Sequence, residues 1–227
     1  MSRVEVVVFD VNETLSDLAP MGRRFADVGW PEETAKIWFA GLLRDGFALT
    51  AAGTTGRFAN IAEETLRGIL AGSASSVDAM ASGVDAAVEH VMDGFFELPV
   101  HPDVPEGIRV LAASGARLVT LSNGSTNVAE GLLGTAGIRH HFERLLSVDD
   151  AGVWKPAPGA YAYAAKVCSA VPDAMMLVAV HPWDIDGAKR AGMSAAWINR
   201  RGHRYPAHFL APDYSVTTVS ELAGCIG

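Results

Sequence analysis

The sequence contains little cysteine, no run of basic residues and no long apolar segment. Only two of its 227 residues are cysteines, and Cys168 and Cys225 are not part of any recognisable spacing motif. Two such residues are too few for a disulfide framework or a zinc site. The sequence is therefore suited to a reducing compartment, and we predict a cytoplasmic protein.

Basic residues are fewer than acidic residues and do not form a stripe. Lysine and arginine total 18 against 26 for aspartate and glutamate, which gives a formal net charge of -8. Nucleic acids and anionic membranes bind basic patches, so we predict neither as a partner. No apolar segment approaches the ~20 residues that a bilayer span needs. A strand-like segment begins at Val4 and leaves no room for a cleavable leader, so we expect a soluble, unexported protein.

Short β-branched segments alternate with helical segments along the second half of the chain. With 49% hydrophobic residues, the chain is long enough for one full core and a smaller second unit. Buried strands are predicted over Val4–Phe9, Arg117–Leu121, Arg144–Val148, Met175–Val180 and Ala195–Ile198. Their alternation with helices predicts an α/β fold with a Rossmann-like, doubly wound parallel sheet.

A long insertion separates the first predicted strand from the others. No comparable strand pattern occurs before Pro102, but apolar residues recur with helical spacing. The predicted helices are Glu32–Leu43, Arg57–Leu70 and Val77–Phe96, with an interhelical connection over residues 72–76. We therefore predict a catalytic core made of residues 1–15 and 101–227, and an all-helical cap made of residues 16–100.

Polar residues follow four of the predicted strands. In an open parallel sheet, ligands bind beyond the carboxyl ends of the strands, where the strand order changes direction. The polar segments are Asp10–Thr14, Ser122–Gly124, Lys155 and His181–Asp184. One acid at a strand end is a weak signal, because Asp also caps helices and starts turns. The four segments together bring acids, hydroxyls, amides and a cation to one edge, which favours a catalytic site.

Four motifs resemble those of the haloacid dehalogenase superfamily, and the resemblance covers nearly the whole chain. They are Phe9–Leu15, Leu121–Gly124, Lys155–Pro156 and Trp183–Ala188. The resemblance implies that Asp10 is a covalent nucleophile and that the Lys155 ammonium keeps it ionised and aimed. Thr14 and Ser122 are expected to donate hydrogen bonds to this carboxylate or to a substrate carboxylate, or to cap helices, and these roles are compatible.

Most members of this superfamily are magnesium-dependent phosphatases, and two positions depart from their pattern. The acid expected two residues after the nucleophile is Asn12, and the acid expected four residues before Asp184 is Val180. Without these acids a magnesium ion has too few oxygen ligands. We therefore expect no metal and no cofactor, and phosphate-ester hydrolysis is disfavoured.

The chain is more similar to the metal-free 2-haloacid dehalogenases of the superfamily. The stretches that carry this likeness are Leu121–Ser125, Leu146–Asp149, Lys155–Pro156 with Tyr161, Trp183–Asp184 and Trp197–Arg200. In that branch Asp10 displaces halide from C2 of a short 2-halocarboxylate. Water then cleaves the ester at the carboxylate carbon, with Asp184 positioning or activating it. The substrate-binding residues implied in the core are Val11, Asn12, Asn123, Tyr161 and Trp183.

Several residues differ from the pattern of this branch. Asn12 stands where an aromatic residue is usual. Aligning the cap helices on Trp38 and Phe58 places Phe39 where a halide-binding arginine is expected. Arg44 lies further along the same helix but not on the same face, so it is a weak substitute for that arginine. The resemblance places Phe39 and Phe58 near the substrate and leaves Arg44 as a further substrate-binding candidate.

His181 and Ala179 replace an Asn and a Ser of the fourth motif. A neutral imidazole beside Asp184 is suited to act as the base for ester hydrolysis. Alternatively, the ring fills the space of the amide and hydrogen-bonds Asp184 or the backbone. Asn12 and His181 together also suggest donors placed for a nitrogen leaving group.

The leading hypothesis is a hydrolase that acts on carbon 2 of a small carboxylic acid, with (S)-2-haloacids first. The second is a metal-free hydrolase that opens a small ring amino acid such as azetidine-2-carboxylate, and the third is a phosphatase. The fold alone is also compatible with a non-enzymatic binding module, but such a module has no need for charged groups that converge on one crevice. The sequence leaves a homodimer open.

Overall fold

The computed structural model describes residues 4–71 and 78–226, which form two compact units. One unit consists of Met1–Asp17 and Pro99–Gly227, and the other of Leu18–Leu98. The inserted unit thus begins at residue 18 rather than 16 and ends at residue 98 rather than 100. The predicted connection over residues 72–76 lies outside the described residues.

The inserted unit is helical throughout its described residues. After the first strand, β1 (Val6–Phe9), come α1 (Met21–Asp27), α2 (Thr34–Ala51), α3 (Phe58–Ala71) and α4 (Asp78–Phe96). The first of these helices was not predicted, because seven residues are too few to show a helical period. The second continues to Ala51, beyond the predicted end at Leu43. Among the described helices of the chain, none is long and apolar enough to span a membrane.

The other unit alternates helices and strands. They are α5 (Val104–Ala113), β2 (Arg117–Ser122), α6 (Thr126–Thr135), β3 (Phe142–Ser147), α7 (Val148–Ala151), α8 (Pro158–Cys168), β4 (Met175–Ala179), α9 (Pro182–Arg190), β5 (Ser194–Ile198) and β6 (Tyr214–Val216). The six strands form one sheet in the order β3-β2-β1-β4-β5-β6, and every pairing is parallel. The predicted α/β class with a doubly wound parallel sheet is confirmed.

Strand β1 is buried on both faces of the sheet. Successive side chains of a strand point to opposite faces: Val7 and Phe9 pack in one hydrophobic cluster, and Val6 and Val8 in the other. Helices α5 and α6 cover the first face, and α8 and α9 cover the second. The sequence of β1 is β-branched and apolar because neither face meets water.

The chain order of the sheet changes direction at β1. This strand pairs with β2 on one side and with β4 on the other. The carboxyl ends of the three strands therefore meet at one edge, with Asp10, Ser122 and Val180 at or next to those ends. This is the switch point at which open α/β sheets bind their ligands.

Two details of the sheet differ from the predicted pattern. The third strand begins at Phe142 rather than Arg144, directly after a short 3-10 turn over Arg139–His141. The sixth strand, β6, was not predicted, because three residues are too short to show an alternating pattern.

Gly107 of α5 lies so close to the segment at Val219 that a methyl group has no room. A Cβ atom built at Gly107 would stand 2.6 Å from Val219 Cγ1 and 2.8 Å from the backbone nitrogen of Ser220. We expect Gly107→Ala to lower the free energy of unfolding by about 1–3 kcal/mol through overpacking, as measured by urea denaturation.

Gly131→Ala, in α6, is the matched control. Nothing lies within 4 Å of a Cβ atom at Gly131, and alanine is favoured over glycine in a helix by up to about 1 kcal/mol. This variant should be as stable as the parent or more stable. Equal stability of the two variants would contradict the close packing of α5 against the segment at Val219.

Candidate active site

The Asp10 carboxylate lies just beyond the carboxyl end of β1 and is held from two sides. Lys155 Nζ donates to Oδ1 at 2.9 Å, and Thr14 Oγ1 donates to Oδ2 at 2.6 Å. The Asp10 side chain is 5% exposed. A carboxylate removed from water needs such donors, and here they fix its orientation.

Lys155 is fully buried between two carboxylates. Its Nζ donates to Asp184 Oδ2 at 2.6 Å in addition to its bond with Asp10. Burial by itself lowers the pKa of Lys155, but attraction to the two carboxylates outweighs burial and raises the pKa above its ordinary value. The ammonium therefore stays charged at neutral pH.

Both oxygens of the Asp184 carboxylate are engaged. Tyr161 Oη donates to Oδ1 at 2.7 Å, while Lys155 occupies Oδ2. Burial raises the pKa of Asp184, and the Lys155 charge opposes this shift. Burial and the charge of Asp184 raise the pKa of Tyr161 well above its ordinary value. The phenol thus keeps its proton and acts as a donor.

The segment after β2 holds the main chain of Lys155. Asn123 Oδ1 accepts from Lys155 N at 3.0 Å, and Asn123 Nδ2 donates to Lys155 O at 3.4 Å. Ser122 Oγ accepts from Gly124 N at 2.9 Å and, among the described residues, makes no hydrogen bond to Asp10. Helix α6 begins after Ser125, so Ser122 does not cap it. Its contact with a substrate carboxylate stays a prediction.

Thr14 connects the ends of β1 and β4. Its Oγ1 accepts from Val180 N at 3.1 Å while donating to Asp10. The residue lies in the turn after β1 and not at the start of a helix. Of the roles predicted for Thr14, the structure contains the hydrogen bond to the Asp10 carboxylate and not the helix cap. A contact with a substrate carboxylate stays a prediction.

The His181 ring faces the Asp10 segment and not Asp184. Its Nε2 lies 3.2 Å from the Asn12 carbonyl oxygen, 3.6 Å from Glu13 Oε2 and 3.8 Å from Asp10 Oδ2. Of the contacts predicted for the ring, the structure contains the hydrogen bond to the backbone, which is made to the first loop. No contact between the ring and Asp184 occurs among the described residues.

Three further predicted residues lie around this crevice. The Trp183 ring stacks on His181 with 5.0 Å between centroids, and Lys155 Nζ lies 5.9 Å from its centre. Asn12 is buried and contributes its carbonyl oxygen to His181. Val11 packs in the hydrophobic core.

The other predicted substrate-binding residues belong to the helical unit. Phe39 and Phe58 are buried in its aromatic core, where Phe39 contacts Trp38 at 6.3 Å and Phe58 stacks on Phe95 at 5.4 Å between centroids. The Arg44 side chain is 73% exposed and bonds Asp45 Oδ1 at 2.8 Å. Within this unit, Phe39 and Phe58 are both buried, whereas the Arg44 side chain lies at the surface.

Glu13 is the site residue that the sequence did not reveal. Its φ of 61° is left-handed, a conformation shared among described non-glycine residues only by Ser169. The Glu13 carbonyl accepts from His101 Nε2 at 3.0 Å, and its N–H donates to Ser16 Oγ at 3.2 Å. Left-handed backbone costs a non-glycine residue about 1–2 kcal/mol. A glycine or asparagine at this position would have indicated a left-handed backbone from the sequence, whereas a glutamate does not.

Comparison with known proteins agrees with this geometry. The family model of haloacid dehalogenase-like hydrolases matches residues 4–192. The chain therefore belongs to that family, and the resemblance of its four motifs is confirmed.

Individual relatives extend the likeness over the full chain. An (S)-2-haloacid dehalogenase from Pseudomonas sp. (strain YL) is 28% identical over 222 residues, which are 96% of this chain and 93% of that protein. Haloacetate dehalogenase H-2 from Moraxella sp. (strain B) is 31% identical over 142 residues, and the match spans 63% of each protein. A dehalogenase solved with an intermediate complex has a TM-score of 0.89 and 25% identity, covering 100% of this chain and 98% of that one.

Removing the buried ammonium should leave two carboxylates without their shared partner. Lys155→Met is expected to lower the free energy of unfolding by about 3–5 kcal/mol at pH 7. In this variant the pKa of Asp184, already raised by burial, loses the opposing charge and rises further. When the pKa of a carboxyl is higher in the folded state than in the unfolded state, the folded state is favoured at low pH. This stability is lost as the pH rises through the folded-state pKa. The deficit relative to the parent should therefore shrink on acidification.

Urea unfolding of parent and variant at pH 7 and at about pH 4 measures this deficit. Lys166→Met is the control, because Lys166 is exposed on α8 and surface changes of this kind stay within about 0.5 kcal/mol. A deficit of the same size at both pH values would show that lost packing, and not unpaired charge, is responsible.

Proposed function

We propose that this chain is a hydrolase that uses Asp10 as a covalent nucleophile at C2 of a small 2-substituted carboxylic acid, with (S)-2-haloacids as its first substrate class. One observation carries the proposal. Lys155 and Thr14 hold the Asp10 carboxylate in place at the switch point of the sheet. A carboxylate nucleophile has no proton to lose, so orientation is the activation that it requires.

The reaction has two steps. One Asp10 oxygen attacks C2 in line with the halide, and the C2–halide bond breaks with its electron pair on the halide. Water then adds to the carboxylate carbon of Asp10 in the ester. The bond between that carbon and the oxygen attached to C2 breaks, and a 2-hydroxy acid and a proton are released. Lys155 and Thr14 donate to different oxygens of Asp10. One of these donors therefore faces the oxygen that remains the ester carbonyl and stabilises the charge that develops there when water adds. The other faces the oxygen bonded to C2, which leaves with the product.

Asp184 acts in this proposal by positioning Lys155. Its two oxygens already accept from Lys155 and Tyr161, and it is fully buried. The Asn123 side chain holds the same lysine by accepting a hydrogen bond from the Lys155 backbone N–H. A substrate carboxylate is expected to bind near Ser122, next to the N–H groups of the turn after β2.

The named relatives support halide as the leaving group. One of them is an (S)-2-haloacid dehalogenase and another is a haloacetate dehalogenase. The first of these aligns over nearly the whole length of both proteins. The chain and this relative therefore share the segments that form the site.

Opening of a small ring amino acid such as azetidine-2-carboxylate is the second candidate. A ring ammonium already carries its protons and leaves as a neutral amine, so it does not need the donors that the sequence suggested. Acceptors beside the ring would instead bind the ammonium before the bond breaks. The Asn12 carbonyl and the Glu13 carboxylate supply such acceptors at the crevice. A phosphatase is disfavoured, since Asn12 and Val180 do not supply the hard oxygen ligands that magnesium needs.

We further propose a cytoplasmic enzyme that acts on small molecules, with neither nucleic acid nor membrane as a partner. Free cysteines and a net charge of -8 support this proposal. A homodimer is compatible with it.

Turnover should not depend on a divalent metal ion. Halide release from 2-chloropropanoate, measured with and without excess EDTA, is expected to be the same, because Lys155 already lies between the two carboxylates that would otherwise bind the cation. Loss of activity on chelation, with recovery on adding magnesium, would move the chain to the phosphatase-like chemistry of its superfamily.

The covalent role of Asp10 predicts where solvent oxygen goes first. In heavy-oxygen water under single-turnover conditions, label should enter the peptide that contains Asp10 and should be absent from the first product. Asp10→Asn should abolish turnover, because it removes the nucleophile from both steps. Direct labelling of product with Asp10 unlabelled would mean that water itself attacks C2, and the proposal would fall.

A further inference from the structure

The position of His181 is fixed from both its main chain and its ring. The residue precedes α9, and its carbonyl oxygen accepts from Asp184 N at 3.1 Å and Ile185 N at 3.2 Å. The ring stacks on Trp183 and is 12% exposed. One edge of the imidazole is therefore held against the Asp10 segment.

The contacts of Nε2 determine where the imidazole carries a proton. Nε2 lies 3.2 Å from the Asn12 carbonyl oxygen, and a carbonyl oxygen can only accept. The other neighbours of Nε2, Glu13 Oε2 at 3.6 Å and Asp10 Oδ2 at 3.8 Å, are carboxylate oxygens. The edge of the ring that faces the nucleophile is thus an N–H donor.

This donor is bound more weakly than the other donors around Asp10. Thr14 and Lys155 bond their carboxylates at 2.6 to 2.9 Å, and Tyr161 bonds Asp184 at 2.7 Å. The His181 contact with Asn12 is 3.2 Å. Among these described donors, the His181 N–H is the one that can turn to a new acceptor at the least cost.

The Glu13 side chain lies beside the same edge of the His181 ring. Its carboxylate stands 3.6 Å from Nε2 on a backbone with φ of 61°. Non-glycine residues rarely adopt this conformation, and such strain concentrates at functional sites. The hydrogen bonds of Glu13 with His101 and Ser16 maintain it.

We propose that the Nε2–H of His181 is the donor that receives the leaving halide, and that it makes fluoride an accepted leaving group. The inference rests on the proposed function. As the bond between Asp10 oxygen and C2 forms, the C2–fluorine bond breaks, its electron pair stays on fluorine, and the Nε2–H bond turns from the Asn12 carbonyl to the fluoride ion. No proton is transferred, so the histidine is unchanged at the end of the step.

Fluoride gains most from such a donor because it is the smallest halide and concentrates its charge. A preorganised donor aimed at developing charge acts on the transition state rather than on the bound substrate. Removing it should therefore lower kcat more than it changes KM, and it should do so in the order fluoride, chloride, bromide.

The test compares two substitutions at one position. His181→Phe retains a ring that can stack on Trp183 but has no N–H, whereas His181→Asn retains a donor. With 2-fluoropropanoate, His181→Phe should lower kcat by at least about 100-fold, the loss typical for one transition-state donor. With 2-bromopropanoate the loss should stay below about tenfold, and His181→Asn should recover part of the fluoride activity.

His203→Phe is the control for replacing a histidine by phenylalanine, because His203 is exposed outside the site; it should change none of the rates. Circular dichroism and thermal melting show whether each variant is folded. Equal losses with 2-fluoropropanoate and 2-bromopropanoate, or no loss with 2-fluoropropanoate, would overturn the proposal. Parent protein that releases bromide but not fluoride would overturn it and leave the proposed function intact. Parent protein that releases no halide would contradict both.

Discussion

A buried ammonium between two carboxylates is the interaction on which the rest of the site depends. Lys155 joins Asp10 at the end of β1 to Asp184 in the first turn of α9. Taking three charges out of water is costly, and only close geometry with additional hydrogen bonds offsets the cost. Thr14 and Tyr161 supply those bonds, one to each carboxylate. The nucleophile is therefore aimed by the same contacts that make its burial tolerable.

The sequence was sufficient to predict the sheet and the residues at its carboxyl edge. Strands that are buried on both faces are apolar over their whole length, as in β1 and β4, so each one stands out locally. Parallel connections then force their ends to one edge. Asp10, Lys155 and Asp184 could be brought together by this reasoning without any knowledge of their distances, because each follows the end of a strand. Asp10 and Asp184 come soon after β1 and β4, and Lys155 follows β3 after the short helix α7.

Tertiary contacts decide what the sequence could not predict. Glu13 adopts a left-handed backbone because its neighbours His101 and Ser16 hold the loop, and a glutamate carries no local signal for that conformation. The His181 ring bonds the Asn12 carbonyl oxygen, which is 169 residues away in the chain. In each case the outcome depends on partners distant in the chain, which no local pattern contains.

Asn12 and Val180 stand where the superfamily's phosphatases have acids, and in this protein they contact the site through their main-chain atoms. Val180 donates its N–H to Thr14, and Asn12 accepts from His181 through its carbonyl oxygen. Contacts made by the main chain survive a change of side chain, so the loops can keep their geometry while their chemistry changes. Without these acids a metal ion lacks hard oxygen ligands, and the Lys155 ammonium lies between Asp10 and Asp184. The same edge of the sheet then favours attack by a carboxylate at carbon over metal-assisted attack at phosphorus.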